Sequence, residues 1–141
     1  MPISDLFVNA FWVNELTTKN PRFHLHNAHP LAPGVKEYGR IKQEGSFVSI
    51  PISTRDIAFI PTNTGPGGQL YALQCGFYNT VDWDFGPATE RWGRVTHYSI
   101  SSDDHPVLWF HPIRVALPVV KINDPFKIPA YAISVIYRSY Y

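Results

Sequence analysis

Thirteen prolines and nine glycines punctuate the 141 residues, and no arrangement of long packed helices survives that punctuation. Proline lacks the N–H that a helix interior needs, and its ring collides with the preceding turn. With aromatic residues at 15% and charged residues at only 16%, the composition describes many short strands joined by turns. A hydrophobic content of 45% suits one domain, long enough to bury a core and too short for two. No Pro/Gly/Ser-rich linker, charge run or solenoid repeat divides the chain. The expectation is one unit over 1–141, with a helical segment at 1–18 and a β-sandwich at 22–141.

Charge narrows the partners. Twelve basic and eleven acidic residues leave a net charge of +1 with no block of one sign. The release of counterions that drives non-specific binding to nucleic acid is therefore missing, and nucleic acid is excluded as an expected partner. The lone Cys75 rules out an internal disulfide framework, and Leu73 and Phe77 beside it suggest a buried small hydrophobe in a reducing compartment. Met1-Pro2-Ile3-Ser4-Asp5 has no basic leader before an apolar core, and no stretch approaches a membrane-spanning run. A soluble chain, with neither standard export nor membrane contact, is expected.

Ser4 reads as an N-cap, and Leu6, Phe7, Ala10, Phe11 and Val13 follow at helical spacing to about Leu16. Strands are expected at Arg22–Asn27, Phe47–Ile52, Ile57–Ile60, Leu70–Tyr78, Val95–Ser101, Val107–His111, Val115–Ile122 and Ala132–Arg138. Seven or eight short strands at this spacing, with one short N-terminal helix, imply an all-β antiparallel sandwich or jelly-roll-like domain.

The stretch Trp92-Gly93-Arg94-Val95-Thr96-His97-Tyr98-Ser99-Ile100 couples a turn to a strand with two chemically distinct faces. It resembles the Trp-Gly-x-Val-Thr-His-(Phe/Tyr)-x-Ile segment of small virion proteins of tailed bacteriophages, often labelled tail-fibre-like. Met1–Asp5 with its helix, His24–Pro30, Tyr38-Gly39-Arg40, Val107-Leu108, Pro118–Val120, Asn123-Asp124, Ile128–Ala130 and Ala132–Val135 resemble further parts of that family. Residues 54–90, including the loop Thr62–Gly68, align with nothing in it. Two of the family's turn glycines are replaced, one by Asn123, which tolerates positive φ, and one by Tyr131, which tolerates it poorly; the last corner is expected to be built differently.

What the resemblance implies is a non-enzymatic structural role in a virion assembled in the host bacterial cytoplasm. The expected partners are other copies of the chain and other virion proteins, the major capsid protein first. Without a coiled-coil or repeat shaft, a decoration or cement protein on the capsid is favoured. A tail-fibre, tail-tip or baseplate component is the alternative, and a carbohydrate- or receptor-binding module a third.

Several residue groups could carry chemistry. His24 and His26 share one strand face, and with His29 they could hold zinc or nickel. No cysteine or acidic residue adjoins them to complete the shell, so no metal or other cofactor is expected. Asp82, Asp84 and Glu90 around Trp83 and Trp92 could be paired carboxylates of a glycosidase, but Asp-Trp-Asp before Phe85-Gly86-Pro87 is ordinary turn chemistry. Ser99, Ser101 or Ser102 with Asp103, Asp104 and His105 lacks a nucleophile elbow and reads as a hairpin tip. Trp83, Trp92 and Trp109 could stack on sugars, although a sandwich of this size needs such rings in its core. The expected interface combines Phe7, Phe11 and Trp12 of the helix with Tyr137, Arg138, Tyr140 and Tyr141 at the C-terminus, residue types enriched in contacts between chains.

Overall fold

A computed structural model describes residues 3–59 and 72–140, with side chains described for 11–59 and 76–135. The chain is all-β and antiparallel with one helix, α1 (Ile3–Thr18). The helix begins at Ile3, which places Ser4 inside the first turn and not ahead of it as a cap. Leu16 and Glu15 are buried at its last turn, and Trp12 packs against the core.

The largest sheet has four strands in the order β10 (Trp109–Pro112), β9 (His97–Ser101), β1 (Arg22–His26) and β4 (Ser49–Pro51). A second has three, in the order β13 (Ser134–Tyr140), β6 (Ala72–Asn79) and β5 (Ile57–Phe59). Among the described residues, three ribbons complete the strands: β12 (Pro125–Ile128) with β7 (Trp83–Pro87), β11 (Val119–Val120) with β8 (Gly93–Arg94), and β2 (Lys42–Gln43) with β3 (Ser46–Phe47). Phe23 and Leu25 of β1, Ile100 of β9, Phe77 of β6, Trp83 of β7 and Val135 of β13 belong to one buried cluster. The Phe23 ring lies 4.9 Å from Trp83 and 5.2 Å from Tyr98.

The strands are shorter and more numerous than the sequence pattern suggests. The stretch Phe47–Ile52 divides between β3 and β4, and Val115–Ile122 keeps only two paired residues. The segment Asp82–Pro87, read as a turn, contains strand β7. Its Trp83 faces Ile128 of β12 in register and is 3% exposed, so a buried cross-strand pair overrides the turn residues that follow it.

Two corrections concern the C-terminal region. Tyr140 was expected beyond the last strand, but β13 runs to it and pairs it with Ala72, because β6 continues far enough to supply partners for all seven residues. The turns before β12 and β13 also keep left-handed backbone at these non-glycine positions, with φ of 74° at Asn123 and 68° at Tyr131. Asn79 makes the second of these tolerable. Fully buried, it accepts the Tyr131 N–H on its carbonyl at 2.8 Å and the Ile133 N–H on Oδ1 at 2.9 Å. Its Nδ2 donates to the carbonyls of Pro129 at 2.8 Å and Val81 at 3.0 Å. Left-handed backbone costs an ordinary residue about 1–2 kcal/mol, which several buried hydrogen bonds of about 1 kcal/mol each offset.

The loop 62–68 and Tyr141 lie outside the described residues, as do the side chains of Phe7, Cys75, Tyr137, Arg138 and Tyr140.

Candidate functional site

The chain's most concentrated polar chemistry lies inside the four-stranded sheet. Strand β1 is central, with β9 and β4 paired to its two edges, and four of its five residues are buried, so side chains on both of its faces are covered. Phe23 and Leu25 point into the apolar core, and the alternation of a strand turns His24 and His26 to the opposite face. Antiparallel register sets His24 across from Ser99 and Arg22 across from Ser101. Each imidazole then reaches diagonally: His24 Nε2 lies 2.7 Å from Ser101 Oγ and His26 Nε2 2.5 Å from Ser99 Oγ. His24 is 3% exposed and His26 and Ser99 are fully buried.

Hydrogen-bond logic assigns the His26 tautomer. Its Nδ1 lies 2.7 Å from the Tyr38 carbonyl, which can only accept, so Nδ1 carries the proton. In the neutral ring Nε2 is then the acceptor and the Ser99 hydroxyl donates to it. This resembles an activated serine, but no substrate could reach a fully buried hydroxyl. Burial holds both rings neutral, pushing His24 down to about 3 and His26 to about 4 from an ordinary 6.5. The nearby Arg40 charge adds to both shifts, while the bond to the Tyr38 carbonyl opposes the one at His26. Nδ1 of His24 is buried and, among the described residues, meets no hydrogen-bond partner.

Arg40 covers this layer. Its guanidinium lies 5.1 Å from the Phe47 ring centre and 5.4 Å from that of Tyr38, and it donates to the Pro106 carbonyl. The Phe47 ring also meets His24 edge-on at 6.0 Å. Tyr38 stands at φ 59°, another left-handed tyrosine, in the short turn that brings its carbonyl to His26.

His29 does not join His24 and His26. It sits on the surface, accepts the Leu31 N–H on Nδ1 at 3.1 Å, and lies edge-on to His97 and Phe110 with ring centres 5.2 Å away in both cases. Among the described residues, no group of three or more His, Cys, Asp or Glu side chains is gathered closely enough to hold a metal ion.

The carboxylates are spent on backbone. Asp82 accepts the Ala130 N–H at 2.8 Å and pairs with Lys127 at 3.3 Å, contacts that lower its pKa. Asp84 accepts the Gly86 N–H and Glu90 the Glu44 N–H. Trp83 and Trp92 are buried, which removes them as sugar platforms. Ser99 and Ser101 bond histidines, but those of β1; His105 packs against Phe11 at 5.8 Å, while Asp103 binds Asn20 and Asp104 pairs with Lys19.

Trp109 is half-buried. It stacks on His111 with ring centres 6.0 Å apart, at a cleft of about 300 Å³ that Tyr98, Arg114 and Ser134 also line. Of the expected interface, Phe11 and Trp12 are half-buried within the chain itself. Among the described residues, the most exposed large apolar side chains stand elsewhere, on loops: Val115 is 72% exposed, Tyr131 69%, and Leu31 and Ile122 59% each. The sequence did not announce the histidine–serine bonds or the role of Asn79. The signal for the former was two strands, His24-x-His26 and Ser99-x-Ser101, sharing a period of two.

No protein-family model, curated protein or solved structure matches this chain. Among the described residues, no helix is long and apolar enough to cross a membrane.

Proposed function

We propose that this chain is a non-enzymatic structural protein of a tailed-bacteriophage virion, assembled in the bacterial cytoplasm. It works as one of many copies of a β-sandwich or jelly-roll-like domain. Within the particle we place it on the capsid surface as a decoration or cement protein, held by its own copies and by the major capsid protein. One observation carries this reading: the residues that bear the family resemblance are also the ones that hold the fold. Trp92 is 2% exposed, Val95 1% and Ile100 not at all, so the signature is a packing requirement of the whole domain. The non-enzymatic part is supported by the neutral, mutually bonded histidines and serines, which are spent as mortar inside the sheet. Exposed Val115, Tyr131, Leu31 and Ile122 supply apolar surface for neighbours. The test is mass spectrometry of purified particles: the chain should be present at a copy number matching capsid symmetry. A copy number matching the tail would move it to a fibre, tail tip or baseplate, and absence from particles would end the proposal.

A second reading, a carbohydrate- or receptor-binding module, is favoured by the Trp109–His111 stack beside Arg114. Binding to a glycan array that is lost in Trp109→Ala would support it over the first.

A further inference from the structure

Sheet edges are hazards that proteins blunt with short strands, prolines and charges. Here β4 ends in Pro51, β10 in Pro112 and β7 in Pro87, β12 opens with Pro125 and carries Lys127, and β5 has three residues. The strands β2, β3, β8 and β11 have two residues each. β13 breaks this pattern. It runs for seven residues, Ser134–Tyr140, without proline and with Arg138 as its only charge. All seven pair with β6 on one side, and among the described residues no strand pairs with the other. Alternate N–H and C=O groups of such a strand point away from its neighbour and can template another strand.

We infer that the occupant of this edge is β13 of a second copy, paired antiparallel about a two-fold axis at Tyr137. This deepens the proposal that the chain acts through self-association, and rests on it. The register that overlaps all seven residues sets Tyr137 against its own copy, Val135 against Ser139 and Ser134 against Tyr140. Arg138 then falls opposite Ile136 of the second copy, so the single charge never meets itself. A nearly neutral chain, net +1, adds little long-range repulsion. The two three-stranded sheets become one sheet of six strands, and both β13 edges gain a partner in one isologous contact.

The experiment is sedimentation of the full chain over a wide concentration range, paired with hydrogen exchange at each end of that range. The expected result is a concentration-dependent rise from one chain to two, with amides in 134–140 slowing as the dimer forms. Ile136→Lys places a lysine opposite Arg138 twice over and should weaken dimerisation roughly tenfold. Adding Arg138→Glu to it should restore the dimer, a rescue that only this register provides. Should Ile136→Lys fail to fold, exchange in the wild-type chain decides alone. A single-chain mass at every concentration would overturn the inference. So would a dimer whose 134–140 amides exchange as fast as in the monomer, or protection of these amides only when other particle proteins are added. Each of these outcomes leaves the copy number in particles to be read independently, so failure here is distinct from failure of the proposed function.

Discussion

The Ser99 hydroxyl donates to His26 Nε2 across 2.5 Å, in the middle of a sheet where neither residue meets solvent. With the hydrogen bond between Ser101 Oγ and His24 Nε2, this ties β1 to β9 through side chains as well as backbone. A core stitched by neutral imidazoles holds only while they stay neutral, and acid is therefore the condition that attacks it.

Both histidines have folded values below the unfolded 6.5, about 3 for His24 and about 4 for His26. Between those values and 6.5 the unfolded chain binds more protons than the folded one. Stability is thus fully present above 6.5 and falls as pH falls toward the folded values. At about pH 5 each ring should cost about 2 kcal/mol, a large share of a typical 5–15 kcal/mol. Melting midpoints measured from neutral pH downward should drop steeply below about 6.5; a flat midpoint down to about pH 5 would contradict the buried, neutral assignment.

Val95 is 1% exposed beside the signature strand. Val95→Asp buries an unpaired carboxylate at a cost of several kcal/mol, enough to unfold an average domain. Circular dichroism should find no cooperative transition. A soluble variant melting with the wild-type midpoint would remove this residue from the core.

At the last corner, Asn79→Ala leaves the buried Ile133 N–H without its acceptor and should cost about 2 kcal/mol. Tyr131→Gly should raise stability by roughly 0.5 kcal/mol, the relief of left-handed strain less the glycine's own entropy cost. Denaturant titration of both variants checks the pair. A larger loss in Tyr131→Gly than in Asn79→Ala would mean that the tyrosine ring, and not the asparagine, holds the corner.

Chelation should leave the melting curve unchanged, because the Nε2 atoms of His24 and His26 are already engaged by serines and His29 packs on His97 instead. Elemental analysis after gentle purification provides the check. One equivalent of zinc, lost when His24 and His26 are replaced together, would reverse this reading of the site.

Much of the fold was legible in the sequence, for reasons particular residues make clear. Alternation in Arg22–His26 and in Ala132–Arg138 marks strands because one face of each meets the core. Proline placement separates helix from sheet. Trp83–Pro87 was obscured, since Gly86 and Pro87 read as a turn while the burial that makes it a strand depends on Ile128, far along the chain. The site was harder. His24-x-His26 suggests metal because the serines that occupy it lie 73 and 77 residues away, and only the register of β1 on β9 brings them together. Tyr131 misled in the other direction: its intrinsic dislike of positive φ is real, but Asn79 supplies tertiary bonds that outweigh it.

The most direct test of the proposed role is an electron-microscopy map of the intact particle, into which the four-stranded sheet and the three-stranded sheet edged by β13 can be fitted. We expect density for this chain on the outer surface of the capsid shell, in symmetric copies that contact the major capsid protein. Density confined to the tail would contradict the decoration assignment, and a particle with no density for the chain would contradict the virion role itself.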